Sequence, residues 1–184
     1  SNLPSKYGDR FANINLAISC LDGYGIKVIK KSSFYETPSY PNNENPKFIN
    51  AIILVETTLP PVDLMSVLIF IEKKLERKRG KKNDPRTCDI DIIDYNSEIL
   101  NLRYNNLELT VPHKELTSRN FILFPLQEIS PTWKHPKTKE IVSVLLQKLS
   151  EEDKNSILKI DENWYNNQMI NQEDLINKVK AYNK

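Results

Sequence analysis

The sequence predicts an α+β fold, in which helices and one mixed or antiparallel sheet form a sandwich. Helical and extended patterns follow one another in the order helix, strand, strand, helix, strand, and no internal repeat interrupts that order. The length of 184 residues suits a single domain with its own core. A hydrophobic fraction of 39% and a charged fraction of 27% are typical of a globular protein.

The first predicted elements are a helix and two strands. Apolar residues recur at helical spacing in 7–21, and two glycines follow that segment. β-branched residues at 26–33 predict a strand, and the nearly continuous apolar run at 48–56 predicts a buried strand. Three prolines among Ser and Asn residues indicate that 37–47 is a loop between them.

A second helix and a third strand follow. Pro60 and Pro61 open the helix, because a proline in the first helical turn costs little. Its apolar stripe consists of Leu64, Val67, Leu68, Ile71 and Leu75. Gly80 is the predicted end of this helix. After a basic loop, the pattern TCDIDIIDY at 87–95 predicts a strand.

The remaining elements are shorter. A turn is predicted at 96–97, and a hairpin partner could follow at 98–101. An extended loop is predicted at 111–113, and two helices are predicted at 117–127 and 141–149. These elements place one domain at 1–149. The segment 150–184 is rich in Asn, Glu and Lys and is predicted to be a C-terminal helical extension, with a helix start near Asn171.

Composition and charge exclude several classes of protein. The net charge of +2 does not give the field of a general nucleic-acid binder. No apolar run approaches the length needed to cross a bilayer, and the first residues lack the features of a signal peptide. Cys20 and Cys88 are isolated in sequence, which predicts buried thiols rather than a disulfide or a metal site. We expect a cytoplasmic, monomeric protein without a membrane or nucleic-acid partner.

Asp89 and Asp91 are the most informative pair of residues. Side chains two apart in a strand point to the same face, with Cα atoms roughly 6.5–7 Å apart. Two carboxylates beside apolar residues repel each other and lose hydration unless a cation compensates them, and Mg²⁺ suits such ligands. Two ions about 3.5–4 Å apart could clamp a transferring phosphoryl group. The structural alternative is an exposed Asp pair at a sheet edge.

A basic run precedes this pair, since eight of the fourteen residues from Lys73 to Arg86 are Lys or Arg. Arg86 could reach phosphates or pair with the two aspartates. Arg77 and Arg79 could interact with the end of the preceding helix, or bind phosphate from a loop that closes over ATP. Both interpretations remain open at this point.

Other polar and aromatic residues also allow two interpretations. A lone loop histidine such as His113 is usually structural, yet near a phosphate His113 and Arg119 could both donate to anionic oxygens. Phe48 and Phe121 are core residues by default. Asn50 lies in an apolar strand and needs a hydrogen-bond partner, which a flat heterocycle could supply. The sequence has no glycine-rich phosphate loop, so an ATP enzyme would bind phosphates through side chains and metal.

Three blocks of sequence carry a family resemblance. They are SSFYETP at 32–38 with FINAIILVET at 48–57, IEKKLERKRGKKNDPRTCDIDIIDY at 71–95, and LTVPHKELTSRNFILFPLQEISP at 109–131. The stretch PRTCDIDII, followed by VPH and R-x-F-x-L-x-P-L, closely resembles the signature of 6-hydroxymethyl-7,8-dihydropterin pyrophosphokinases. The resemblance covers residues 1 to about 149 and rests on several motifs rather than one.

This resemblance implies a ferredoxin-like αβα sandwich and a defined reaction. The β,γ-pyrophosphoryl group of ATP would move to the hydroxymethyl oxygen of 6-hydroxymethyl-7,8-dihydropterin in folate biosynthesis, leaving AMP. ATP would be the co-substrate. Two Mg²⁺ ions would be held by Asp89 and Asp91.

The resemblance also implies three sets of site residues. The catalytic set would be Arg77, Arg79, Arg86, Asp89 and Asp91, with Arg86 stabilising the transferred charge. The ATP-binding set would be Glu72, Arg77, Arg79, Thr110, His113 and Arg119. The pterin-binding set would be Thr37, Pro38, Phe48, Asn50 and Phe121. Phe121 would stack on the pterin ring, and Asn50 would hydrogen-bond its edge.

The sequence departs from the family pattern at four places. Family members normally begin with a short apolar strand that runs into G-S-N-L, so a first strand is expected upstream of Ser1. Asn83 stands where many members carry a tryptophan, and this loop is one residue shorter. Glu108 stands where some members place a phosphate-binding arginine, and Ile69 replaces a polar residue near the nucleotide. These changes could weaken ATP binding without altering the reaction.

Two other functions compete with the enzymatic one. A catalytically weak or inactive nucleotide- or pterin-binding domain is favoured by the departures, whereas the intact set Arg86, Asp89 and Asp91 opposes it. An RNA-binding sandwich could use the basic run at 73–86. It lacks a glycine-aromatic RNA-binding signature.

Overall fold

The structure is a computed structural model that describes residues 1–78, 80, 84–104 and 107–161. The helices in these residues are α1 (Arg10–Leu21), α2 (Pro61–Lys74), α3 (Asn120–Ile129), α4 (Val142–Gln147) and α5 (Glu151–Asn155). The strands are β1 (Ile26–Lys31), β2 (Tyr35–Thr37), β3 (Phe48–Asn50), β4 (Ile53–Thr57), β5 (Leu100–Tyr104), β6 (Leu107–Val111) and β7 (Leu158–Lys159). The predicted α+β class is confirmed.

The strands of the described chain pair antiparallel in three separate ladders. β1 pairs with β4, β2 lies between β3 and β7, and β5 pairs with β6. The predicted single sheet is thus divided into three parts. β1 ends before the chain enters the second ladder at β2, and β4 begins after the chain leaves that ladder at β3, so neither strand belongs to both ladders.

A two-residue junction splits the predicted strand at 48–56 into β3 and β4. Only Ala51 and Ile52 separate the two strands. The Ile52 carbonyl accepts from the Ser32 backbone NH, and the Ser32 hydroxyl accepts from the Ile52 NH, both at 2.9 Å. Ser32 is fully buried. This exchange joins the two chain segments where they pass from one ladder to the other.

Helix α1 begins three residues later than the sequence pattern predicts. The Asp9 side chain accepts from the Ala12 NH at 2.8 Å, which caps the helix at Asp9. Helix α2 ends earlier than Gly80, at Lys74. Glu76 has a left-handed backbone with φ 64°, and the Arg77 NH donates to the Glu72 carbonyl at 3.0 Å. This turn folds Arg77 back over the end of the helix.

The predicted strand at 87–95 is wrong for the described chain. A strand needs a ladder of backbone hydrogen bonds, and no described segment supplies one here. The Ile93 carbonyl accepts from the His113 NH at 2.9 Å, and the Ile90 NH donates to the Glu72 carboxylate at 2.7 Å. The predicted hairpin partner at 98–101 belongs in part to β5, which pairs with β6 instead.

The main core lies between the β1–β4 ladder and two helices. Leu16 from α1 and Ile71 from α2 are fully buried in it, together with Leu75 just after α2. Ile90 and Ile92 pack against the same cluster. The acidic segment, residues 89–92, is therefore held by the apolar contacts of Ile90 and Ile92, which alternate with Asp89 and Asp91.

A second cluster joins α3 and α4. Leu123 and Val142 are fully buried there, and Ile93 and Phe121 pack at its edge. The two predicted helices at 117–127 and 141–149 correspond to α3 and α4, with shifted ends. Pro125 lies inside α3.

The described part of the C-terminal segment packs against the domain. β7 pairs with β2, and the Asn120 side-chain amide donates to the Asp153 carbonyl at 2.6 Å. The predicted helix near Asn171 lies outside the described residues. Cys20 and Cys88 are buried and free, as predicted. Among the residues placed by the structure, none forms a helix both long and apolar enough for a bilayer.

Glu128 on α3 joins three elements through its side chain. Its carboxylate accepts from the Ser33 backbone NH and hydroxyl, both at 2.9 Å, and from the Tyr35 hydroxyl at 2.7 Å. Lys159 of β7 lies 3.3 Å away. Burial opposes ionisation, but these hydrogen bonds and the lysine charge outweigh it and lower the pKa of Glu128.

Glu128→Gln is expected to lower the free energy of unfolding by about 1–2 kcal/mol at neutral pH, because hydrogen bonds to a charged group are lost. A lowered folded-state pKa stabilises the protein above the ordinary glutamate pKa of 4.5, and this stabilisation disappears as pH falls through the lowered pKa. Urea unfolding at several pH values measures the effect. The difference from wild type should shrink toward acid pH.

The exposed Glu98, whose side chain forms no hydrogen bond or ion pair in the described chain, offers a matched control. Glu98→Gln should change stability by less than about 0.5 kcal/mol. A Glu128→Gln loss that stays constant across the same pH range would contradict the assigned role of the carboxylate charge.

Candidate active site

Most of the predicted metal and nucleotide residues line one open cleft, and Arg119 is not among its lining residues. Its volume is about 300 Å³. The lining residues that the sequence predicted are Glu72, Arg77, Asp89, Asp91, Thr110 and His113. Lining residues that were not assigned a site role are Met65, Leu68, Ile69, Ile90, Ile92, Glu108, Leu109 and Lys114. The cleft thus joins the end of α2, the acidic segment and β6.

Asp89 is already surrounded by positive charge. Arg77 forms an ion pair with Asp89, and the Arg86 Nε lies 2.5 Å from the second Asp89 oxygen. Both arginines and the aspartate are mostly buried, with 19–25% of each side chain exposed. The alternative of an exposed Asp pair at a sheet edge therefore does not describe Asp89.

Asp91 lies in the same cleft but has no ion pair in the described chain. Its side chain opens to solvent, yet the surrounding cleft walls remove part of its hydration. This burial, followed by the like charge of Asp89, raises the pKa of Asp91. An approaching cation would relieve this repulsion.

The donor set of Asp89 and Asp91 fits Mg²⁺. Both donors are hard carboxylate oxygens that face an open cleft. No group of three or more His, Cys, Asp or Glu gathers within the described residues, so water or phosphate oxygens would complete the coordination. Mg²⁺ is commonly held in this way, by one or two carboxylates and substrate phosphates.

Glu72 supports the acidic segment from the end of α2. Its side chain is only 4% exposed and forms an ion pair with Arg77. The same carboxylate accepts from the Ile90 NH at 2.7 Å. Ile90 lies between the two aspartates, so Glu72 fixes the backbone that positions them.

His113 and Thr110 also line the cleft. Thr110 is in β6, and His113 follows the cis peptide bond between Val111 and Pro112. The His113 Nδ1 accepts from the Glu115 NH at 3.2 Å, which leaves Nε2 to donate. Burial lowers the pKa of His113, although the Asp91 charge opposes this shift. A neutral imidazole that donates from Nε2 suits a phosphate oxygen.

Arg119 precedes α3 and pairs with Glu115. Its guanidinium carbon lies 5.3 Å from the centre of the Phe121 ring. Burial lowers the pKa of Arg119, while the charges of Asp91 and Asp89 oppose that shift. The predicted phosphate-binding arginine thus contacts a predicted pterin-stacking ring.

The second ladder brings together most of the predicted pterin residues. Thr37 pairs with Phe48 across β2 and β3, and the Asn50 side-chain amide donates to the Thr37 hydroxyl at 3.0 Å. Pro38 follows directly and is exposed. The Arg86 guanidinium carbon lies 4.8 Å from the centre of the Phe48 ring. Arg86 therefore links this ladder to Asp89.

Asn2 is a supporting residue to which the sequence analysis gave no role. It is almost completely buried, and its side-chain oxygen accepts from the Arg86 NH at 2.7 Å. The Arg86 carbonyl accepts from the Asn2 NH at 3.0 Å. The asparagine of the G-S-N-L family pattern, which corresponds to Asn2, was the sequence signal that could have identified this supporting role. Of the predicted site residues, Arg79 lies outside the described residues.

Comparisons with known proteins agree with this arrangement. Residues 1–131 match the family model for 7,8-dihydro-6-hydroxymethylpterin-pyrophosphokinase. The chain is 34% identical over 146 residues to the folic acid synthesis protein fol1 of Schizosaccharomyces pombe, covering 79% of this chain and 19% of that protein.

Two bacterial proteins named 2-amino-4-hydroxy-6-hydroxymethyldihydropteridine pyrophosphokinase are also similar. The protein from Synechocystis sp. is 34% identical over 125 residues, covering 68% of this chain and 62% of that protein. The protein from Aquifex aeolicus is 34% identical over 134 residues, covering 73% of this chain and 81% of that protein. The chain therefore spans a small part of the fission yeast relative and most of each bacterial one.

Proposed function

The chain belongs to the 7,8-dihydro-6-hydroxymethylpterin-pyrophosphokinase family, and on that premise we propose that it transfers pyrophosphate from ATP to 6-hydroxymethyl-7,8-dihydropterin. The products are AMP and the pterin diphosphate, and the reaction is a step of folate biosynthesis. Three relatives that are each 34% identical to this chain support the proposal, because one is named a folic acid synthesis protein and two are named pyrophosphokinases.

One side chain carries the structural argument. Arg86 lies 2.5 Å from Asp89 at one end and over the Phe48 ring at the other. The cleft at Asp89 and the β2–β3 ladder that carries Thr37 and Asn50 are therefore neighbours. This proximity supports a transfer in which an anionic donor and a flat heterocyclic acceptor meet at Arg86.

The proposed chemistry forms one bond and breaks one. The pterin hydroxyl oxygen attacks the β-phosphorus of ATP, the bond from that phosphorus to the α,β-bridging oxygen breaks, and AMP leaves while the hydroxyl proton passes to solvent. Asp89 and Asp91 would hold Mg²⁺, which neutralises phosphate charge when bound. Arg86 and Arg77 balance the charge of the transferring group, and Thr110 and His113 orient the phosphates.

The pterin would bind between the second ladder and α3. Asn50 offers an amide to the polar edge of the ring, and Phe48 and Phe121 offer aromatic faces. Arginine already contacts both rings, through Arg86 and Arg119. A planar pterin can replace such contacts by stacking.

A ferredoxin-like sandwich is the fold we propose for the core. Helices α1 and α2 both pack on the β1–β4 ladder, and the segment at 87–93 packs beside it. Two Mg²⁺ ions, a monomeric state and a cytoplasmic location complete the proposal.

Release of AMP from ATP and Mg²⁺ tests the function. AMP is expected only when 6-hydroxymethyl-7,8-dihydropterin is present, in equal amount to the pterin diphosphate. Product analysis by chromatography with mass detection separates AMP from ADP. Formation of ADP would indicate a different phosphoryl transfer. ATP or pterin binding without AMP would support the alternative of a binding domain.

A further inference from the structure

Arg77 bridges the carboxylates of Glu72 and Asp89, the second of which is a candidate cation ligand. We propose that Glu72 is a positioning residue that holds Arg77 and thereby sets how readily Asp89 accepts a divalent cation. This inference rests on the proposed role of Asp89 and Asp91 as cation ligands. It assigns to Glu72 a task other than direct contact with the nucleotide.

Glu72 holds Arg77 through both main chain and side chain. The Arg77 NH donates to the Glu72 carbonyl at 3.0 Å, and the guanidinium pairs with the Glu72 carboxylate. The left-handed backbone at Glu76 makes this turn possible. The same guanidinium nitrogen, Nη1, contacts Asp89. One positive group is therefore shared between a structural carboxylate and a candidate ligand.

Arg77 and a divalent cation compete for the same charge. Asp89 bound to Arg77 is already neutralised, so a cation gains less by binding there. Moving Arg77 away would be costly if its mostly buried guanidinium were left without a partner. Glu72 removes that cost, because Arg77 retains one ion pair after Asp89 is released. Without Glu72, Arg77 would depend on Asp89 alone.

Mn²⁺ binding to the free protein, without nucleotide or pterin, tests this proposal. Arg77→Gln should bind Mn²⁺ at least about threefold more tightly than wild type, since Asp89 loses one of the two arginines paired with it. Glu72→Gln should bind at least about threefold more weakly, since Arg77 then holds Asp89 more firmly. Glutamine keeps an oxygen that can accept from the Ile90 NH. Electron paramagnetic resonance of unbound Mn²⁺ gives the affinities.

The double variant Glu72→Gln/Arg77→Gln separates this mechanism from independent electrostatic effects of the two charges on Mn²⁺ binding. If charges act independently, Glu72→Gln weakens binding equally with and without Arg77. Under the proposal, Glu72 acts through Arg77, so Glu72→Gln should have little effect in the Arg77→Gln background. An effect of the same size in both backgrounds would overturn the proposal.

Lys114→Gln is the matched control. Lys114 lines the same cleft and forms no ion pair in the described chain. It measures the gain from removing an unpaired positive charge, and Arg77→Gln must exceed that gain. An equal or smaller gain overturns the proposal even if Glu72→Gln fails to fold. Circular dichroism checks folding.

One further variant keeps the two proposals distinguishable. Asp91→Asn should abolish the Mn²⁺ binding seen in wild type, because it removes a ligand without removing Arg77. Retained binding would reject the cation site itself and with it the proposed function. Loss of binding in Asp91→Asn, combined with an unchanged affinity in Arg77→Gln, would reject only the role of Glu72 and Arg77.

Discussion

Asp91→Asn is expected to lower kcat for pterin-dependent AMP formation by about a thousandfold or more. A bound metal contributes several kcal/mol of transition-state stabilisation, and each 1.4 kcal/mol corresponds to about a factor of ten in rate. Asn has nearly the same shape as Asp, so the packing of Ile90 and Ile92 should persist. Steady-state kinetics with varied Mg²⁺ measures the change.

The exposed Asp63 in the first turn of α2 is a suitable control. Asp63→Asn should leave kcat unchanged, because Asp63 does not line the cleft. An Asp91→Asn variant that kept more than about a tenth of wild-type kcat would contradict a metal-ligand role for Asp91.

Ile71→Ala is expected to reduce the free energy of unfolding by about 3 kcal/mol. Ile71 is fully buried and belongs to the cluster that packs against Ile90 and Ile92. Truncation removes apolar contacts and leaves a cavity under the acidic segment. For a chain of this size, the Tm should fall by roughly 6–12 °C. Thermal and urea unfolding measure both quantities.

Ile99→Ala provides the same chemical change at an exposed position. The Ile99 side chain is 63% exposed, so its truncation should cost less than about 0.5 kcal/mol. Equal losses for Ile71→Ala and Ile99→Ala would contradict the assignment of Ile71 to the core.

Helical periodicity predicted the helices well because it reflects burial of one face. The stripe through Leu64, Leu68 and Ile71 is buried as expected. The ends were less predictable. Local capping decided them, at Asp9 for α1 and at the Glu76 turn for α2.

Strand predictions were less reliable because a strand depends on its partner. The alternating pattern at 87–95 does place Ile90 and Ile92 on the core, yet no described ladder includes this segment. Similarly, the apolar run at 48–56 could not reveal that Ile52 would bond to Ser32 and divide it. Pairing is a tertiary property that local residue patterns do not contain.

The family resemblance was more informative about the site than residue patterns were about the strands. It implied that Asp89, Arg77 and His113 belong to one site, and the structure places all three around one cleft. The shared guanidinium of Arg77 and the support from Asn2 depend on side-chain directions. Those directions follow from the turn after α2 and from buried hydrogen bonds, so residue spacing could not predict them.

The junction between β3 and β4 constrains how this chain can vary in length. Ala51 and Ile52 connect Asn50 of β3 to Ile53 of β4, and Ile52 is fixed by its two hydrogen bonds with Ser32. Side chains alternate along a strand, so one inserted or deleted residue would turn an entire strand over. Homologous sequences should therefore differ in residue identity here while conserving the spacing. Residues of the β2–β3 ladder and residues of the main core can be substituted independently. The number of residues between β3 and β4 must stay the same for both to keep their orientation.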